Sequence, residues 1–169
     1  MSETTIKKIK RSEFATFLNT APGEAAASFK RMGKGITSQT VSYNPATTAE
    51  TYIDENSATT SVDSYAVNIS TPQTCYVGEP IFEFIDKLRK ARATGADCET
   101  ELLMVYVYDT AEANKYTAEK VKCTIQIDDF GGDGGGNLTI NYTINLNGDP
   151  EIGTATISNG VATFTAAAA

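Results

Sequence analysis

Two stretches of strict alternation constrain this chain more than anything else in it. Over 121–127, Val121, Cys123, Ile125 and Ile127 alternate with Lys122, Thr124 and Gln126. Over 138–146, Leu138, Ile140, Tyr142, Ile144 and Leu146 alternate with Thr139, Asn141, Thr143 and Asn145. A period of two belongs to a pleated strand, so both stretches predict strands with one buried and one polar face. They bound a hairpin with strands over 118–128 and 137–147 and a glycine-rich loop over 129–136. Leu102–Tyr108 is apolar on both faces, which predicts a strand covered on both sides. Further strands are expected over 36–43, 59–70, 153–158 and 161–165.

One segment departs from that period. Pro80 suits the first turn of a helix, and Ile81, Phe84, Ile85, Leu88 and Ala91 then recur at helical spacing. Acids come early (Glu79, Glu83, Asp86) and bases late (Lys87, Arg89, Lys90, Arg92), matching the helix dipole, and Gly95 is the expected left-handed stop. The fold class is therefore mainly β with one flanking α-helix over 80–94: two packed antiparallel sheets, as a sandwich or barrel. The expected organisation is a basic N-terminal arm and lead-in over 1–34, one domain over 35–165, and an alanine tail over 166–169.

The residues also exclude chemistry. The 169-residue chain has no histidine, which removes Ser-His-Asp and Cys-His catalysis and the zinc sites that need imidazole. Cys75, Cys98 and Cys123 are odd in number and form no CxxC pair, so they read as reduced thiols. No apolar run approaches the roughly 18 residues that would cross a bilayer, and no apolar block follows Lys7, Lys8, Lys10 and Arg11 as in a secretory signal. Neither a membrane-bound nor a secreted protein is expected.

Charge is segregated. The net charge is −7, yet residues 1–34 sum to +4, residues 35–169 to −11, and no Lys or Arg occurs after Lys122. A body so poor in cations does not hold nucleic acid by counterion release. The arm carrying Lys7, Lys8, Lys10 and Arg11 has three readings: a solvated terminus, a contact to phosphate or an anionic membrane, or a dock on the acidic body of another copy.

Asp128, Asp129 and Asp133 stand among glycines, a chemistry that suits calcium, although the run neither repeats nor has the glutamate of an EF-hand. The plainer reading is a flexible hairpin loop. Asp129-Phe130-Gly131 lacks the other motifs of a kinase, and its glycines precede no helix. Glu99 and Glu101 alternate onto one strand face and read as surface acidity. The polar stretch Asn44–Ser57, holding Asn44, Pro45, Glu50, Tyr52, Asp54 and Glu55, is longer than a hairpin needs, which marks it as functional or mobile.

Taken in order, Arg31-Met-Gly-Lys-Gly-Ile-Thr37, Tyr43-Asn-Pro45, Glu50-Thr-Tyr-Ile53, Thr71-Pro-Gln-Thr74, Phe82-Glu-Phe-Ile-Asp-Lys-Leu-Arg89, Ile125-Gln-Ile-Asp-Asp-Phe-Gly-Gly-Asp133 and Ile140-Asn-Tyr-Thr-Ile-Asn145 give the chain a likeness. From about residue 14 to about 158 it resembles the major tail proteins, the tail tube subunits, of long-tailed bacteriophages. That resemblance implies a structural virion protein and not an enzyme, with no cofactor. Six copies would close into a ring with a continuous inner β-barrel, and stacked rings would form the conduit for DNA.

By the same resemblance the loop over 44–57 and the basic arm would contact neighbouring copies. The partners would be the chain itself, a tape-measure protein, and tail terminator and distal tail proteins. Assembly would take place in the host cytoplasm, and the product would reside in the virion tail. The expected lumen face is the polar side of the two clean strands: Thr124, Gln126, Asp128, Thr139, Asn141, Thr143 and Asn145. A second reading from a different class is a monomeric β-sandwich binding module assisted by calcium through the three aspartates.

Overall fold

The two alternating segments pair with each other at the centre of the molecule, and every other element is arranged around that hairpin. The computed structural model describes residues 4–169. Along the chain run β1 (Phe14–Asn19), β2 (Phe29–Arg31), β3 (Thr40–Ser42), β4 (Pro45–Glu50), β5 (Thr59–Tyr65), β6 (Asn68–Thr74), α1 (Pro80–Ala91), β7 (Glu99–Glu112), β8 (Lys115–Gly131), β9 (Thr139–Ser158) and β10 (Val161–Ala166). Eight strands form one antiparallel sheet in the order β10-β2-β1-β7-β8-β9-β6-β3, and β10 also pairs with β9. That last pairing closes β10, β2, β1, β7, β8 and β9 into a six-stranded barrel. Closure satisfies backbone groups that an open edge would leave unpaired.

Each of the six barrel strands contributes to one apolar cluster: Ala15 and Phe17, Phe29, Leu103 and Val105, Ala118, Ala155, and Ala162. This is the barrel interior. Small side chains there face large ones, as a narrow barrel requires. The opposite face of the sheet carries a second cluster, in which Leu18, Ile69, Leu102, Met104, Val121, Cys123, Ile125, Ile140, Tyr142 and Ile144 meet Ile81 and Ile85 of α1. Leu102 and Met104 point to one cluster and Leu103 and Val105 to the other. The doubly apolar stretch of β7 is thereby explained.

Helix α1 is tied down at both ends. The Glu79 carboxylate accepts from the Phe82 amide at 2.6 Å and from the buried Gln73 side chain at 3.0 Å, and the Tyr142 hydroxyl donates to Gln73 at 3.0 Å. Burial, with Glu79 nearby, pushes the Tyr142 hydroxyl well above its usual pKa. At the other end Asp86 accepts from Arg89 at 2.6 Å and from Lys90 at 2.7 Å, and the Arg89 guanidinium lies 3.8 Å from the Phe130 ring centre. The Lys90 and Arg89 partners hold the Asp86 carboxyl below the ordinary range.

The structure corrects several sequence expectations. Residues 14–34 are not part of an arm, because β1 and β2 are staves of the barrel with Phe17 and Leu18 fully buried. The left-handed helix stop is Arg92 (φ 47°), so α1 ends at Ala91 and Gly95 instead opens a short 3-10 turn. Segment 44–57 is not an irregular connection: β4 pairs with β5 in a two-stranded sheet of its own, leaving only 51–58 as the tip. The expected strand 59–70 divides into β5 and β6, whereas 138–146 and 153–158 merge into β9. The tail also shortens, since Ala166 pairs with Gly153 and the Ala167 amide bonds the Ile152 carbonyl at 3.0 Å.

The three cysteines are separate free thiols. Burial pushes Cys123 up to about 12, and burial also raises Cys98 and Cys75. A thiolate is the reactive form, so Cys123 of the folded protein is expected to resist an aromatic disulfide reagent at mildly alkaline pH, with half-buried Cys75 reacting first. All three should react at once after unfolding. Fast labelling of Cys123 in the native protein would contradict its placement inside the sheet.

Candidate assembly and lumen surface

Beyond the barrel, β8 and β9 run on as an open sheet with β6 and β3 beside them. Period-two alternation puts Ile125, Ile140, Tyr142 and Ile144 toward α1, so the residues between them face outward. On that outer face the polar side chains bond across the strands. Asn147 donates to Thr124 at 2.8 Å, Asn145 to Gln126 at 3.4 Å, Thr143 to Asp128 at 2.6 Å and Asn141 to Asp129 at 2.6 Å. Gln126 also donates to Asp128 along the strand at 2.6 Å. Thr139 donates to the Gly131 carbonyl at 3.1 Å. The result is a cross-strand ladder of polar pairs, which both holds register and keeps the face wet.

All seven residues expected on this face lie on it. Several more join them. Ser70 and Asn68 of β6 stand opposite Thr143 and Asn145, and Thr40 and Ser42 of β3 stand opposite Ser70 and Asn68. Glu99 and Glu101 of β7 lie opposite Thr124 and Lys122. Asn147 continues the alternation one step beyond the recognised run, so its signal was present in the sequence. Asp129 had no such signal. The register of β8 against β9 shifts between Ile127 and Asp129, and this bulge puts two consecutive aspartates on one face. The charged members are Glu99, Glu101, Asp128 and Asp129 against Lys122, a net −3.

The edges of this polar sheet are open. β7 begins opposite Thr124, so among the described residues 125–131 of β8 have β9 on one side and no strand on the other, and β3 is the terminal strand at the far side. Open edges with exposed polar groups are templates for strands of another chain.

The aspartates do not assemble into a metal centre. Asp128 and Asp129 are engaged by Gln126, Thr143 and Asn141, and among the described residues no three His, Cys, Asp or Glu side chains stand close enough to hold an ion. Asp128, Asp129 and Asp133 thus do not form the calcium cluster their spacing suggested.

The second candidate surface is the hairpin. Asn44, in the left-handed region at φ 43°, donates its side-chain amide to the Ala66 carbonyl at 3.0 Å and closes the root; Pro45 begins β4. Tyr43 and Tyr65 meet edge to face there. Glu50 accepts from Tyr52 at 3.2 Å, and Asp54 and Glu55 stand at the tip. Every side chain of β4 and β5 is exposed, so the hairpin packs no core of its own. Of the basic arm, Lys7, Lys8 and Lys10 are exposed, whereas Arg11 belongs to the domain: it donates to the Phe14 carbonyl at 2.7 Å and to the Gln39 carbonyl at 3.1 Å. No helix of the described residues is long and apolar enough to cross a membrane.

The closed barrel with an appended open sheet, a flanking helix and a separate hairpin is a tail-tube-like fold. The chain is similar to that in the tail of an empty GTA particle of C6 symmetry, with TM-score 0.60 and 12% identity over 89% of this chain and all of that one. It is also similar, at TM-score 0.43 and 12% identity, to a chain of the six-fold symmetrised baseplate of the anti-feeding prophage, covering 90% of this chain and 97% of that one. No protein-family model matches the chain, and no curated protein matches it either. At 12% identity the likeness to the GTA tail chain speaks for the fold alone.

Proposed function

We propose that this protein is the tube subunit of a virion tail, with six copies closing into a ring and rings stacking into a conduit for DNA. One observation carries the reading: a polar, cation-poor sheet face bounded by two unpaired edges. A monomer gains nothing from leaving both edges of a well-ordered sheet unpaired, but a ring of copies completes the ladder from one molecule to the next. Once closed, the face carrying Thr124, Gln126, Asp128, Asn141, Thr143 and Asn145 lines the bore. Its hydroxyl and amide groups hold water, and its net negative charge repels phosphate, so a polyanion passes without a salt-dependent trap. The C6-symmetric origin of the similar chain supports the number of copies.

The test is direct. Purified protein imaged by negative stain across rising concentration is expected to show rings and then rods with a central hole. Hydrogen exchange should become protected over 125–131 when rods form, because those backbone groups acquire partners. A protein that stays monomeric under all conditions, or rods in which 125–131 exchanges as fast as in the monomer, would overturn the reading.

A further inference from the structure

We propose that the arm over 4–10 lies along the β4–β5 hairpin of a second copy of this chain, as an added strand. The proposal deepens the tube reading and rests on it for the supply of neighbouring copies. Its basis is a match in charge, length and exposure between two surfaces that the fold leaves without a partner.

Charge comes first. Lys7, Lys8 and Lys10 make the stretch 4–10 a net +3 with no acid in it, while Glu50, Asp54, Glu55 and Asp63 make 44–66 a net −4 with no base in it. Within one chain these charges are barely used. Lys7 meets Glu13 at 3.5 Å, and no hairpin carboxylate meets a cation among the described residues. Two oppositely charged surfaces on each copy define a head-to-tail contact, since every copy offers both halves.

Length agrees. Six paired positions of the hairpin extend about 20 Å at strand rise, and seven residues of extended arm reach about 23 Å. The hairpin has two outer edges that no other strand of the described residues pairs with. An extended segment docks on such an edge through main-chain bonds, with side chains supplying the selectivity. Apolar groups add to it: Ile6 is 98% exposed, and Val62 and Ile53 are exposed on the hairpin.

The arm does not use its own hairpin. Its end is pinned by the Lys10 amide donating to the Glu13 carboxylate at 2.6 Å and by Arg11 on the Phe14 and Gln39 carbonyls, and none of its recorded partners lies in 44–66. The first of those bonds lowers the Glu13 pKa, so the pin is set at neutral pH.

Charge reversal tests the contact. One variant carries Lys7→Glu, Lys8→Glu and Lys10→Glu; the other carries Glu50→Lys, Asp54→Lys and Glu55→Lys. All six side chains are exposed, so each variant should melt as the wild type does. Association is read by sedimentation velocity at about 50 mM salt, where screening is weak, and this registers contact between copies whether or not tubes form. Each variant alone is expected to associate at least about fivefold more weakly than the wild type. An equimolar mixture should recover wild-type association, because each arm then finds a hairpin of opposite sign on the other molecule.

Variants that associate as the wild type does would overturn the proposal. So would a mixture that fails to recover when one chain carrying all six changes does recover, since the arm would then be folding on its own hairpin. Recovery without rods in negative stain would retain the contact and sink the tube. Rods unaffected by either reversal would retain the tube and sink the contact.

Discussion

Replacing Gly153 by valine is expected to destabilise the monomer by about 3 kcal/mol or more, the cost of forcing atoms into a packed interior. For a chain of this size that is a fall in Tm of roughly 6–12 °C. The residue sits in β9, opposite Ala118 of β8 and Ala166 of β10, on the seam where the barrel closes. A Cβ there would stand 2.7 Å from two carbons of the Phe164 ring and would collide with the Thr165 carbonyl oxygen. The ring is held over this position by Lys120, whose ammonium lies 5.1 Å from its centre and 2.9 Å from Glu151. Valine therefore has to part β9 from β10 or expel Phe164 from the interior. Gly134→Ala is the control, because a Cβ at Gly134 meets nothing within 4 Å, and it should change stability by less than about 0.5 kcal/mol. Equal effects at the two sites would mean that the barrel does not close as described.

A second large effect is expected when Asn141, Thr143 and Asn145 are all changed to lysine. These residues alternate with buried Ile140, Tyr142 and Ile144, so the new side chains enter solvent and the subunit still folds. Each lysine that reaches a phosphate steepens the dependence of log affinity on log salt by about 0.9, and six to ten such contacts change affinity by about 10³–10⁵ between 50 and 200 mM. Tubes assembled with linear duplex DNA present should then retain DNA that nuclease cannot reach, and release it as salt rises. Wild-type tubes should retain none. If the triply substituted tubes protected no more DNA than the wild type, the ladder would not line the bore.

Several elements were legible because their signal is local. The alternation in β8 and β9 needs only a period of two, and one buried face forces the register. The helix announced itself through Pro80 and the spacing of Ile81, Phe84, Ile85 and Leu88. The polar face followed from the same alternation, since a polar residue between two buried ones has only one side on which to lie. β1 was illegible for the opposite reason. Phe14–Asn19 lies between β2 and β7 and is covered on both faces, so it shows no alternation and reads as the end of a basic arm. β4 was equally hidden, because a strand exposed on every side has no apolar period to display, whereas β5 falls inside the expected strand 59–70.

From the order of its residues alone, then, this protein has a polar face, an amphipathic helix and charges of opposite sign in the arm and the body. Those features come from side-chain identity and near-neighbour spacing. What only the tertiary structure decided is closure: that β10 returns to β9, that Phe17, Phe29 and Phe164 fill one interior with Ala118, Ala155 and Gly153, and that 125–131 is left with a free edge. Pairing between distant strands depends on which surfaces fit once the chain is compact, and no local period carries that information.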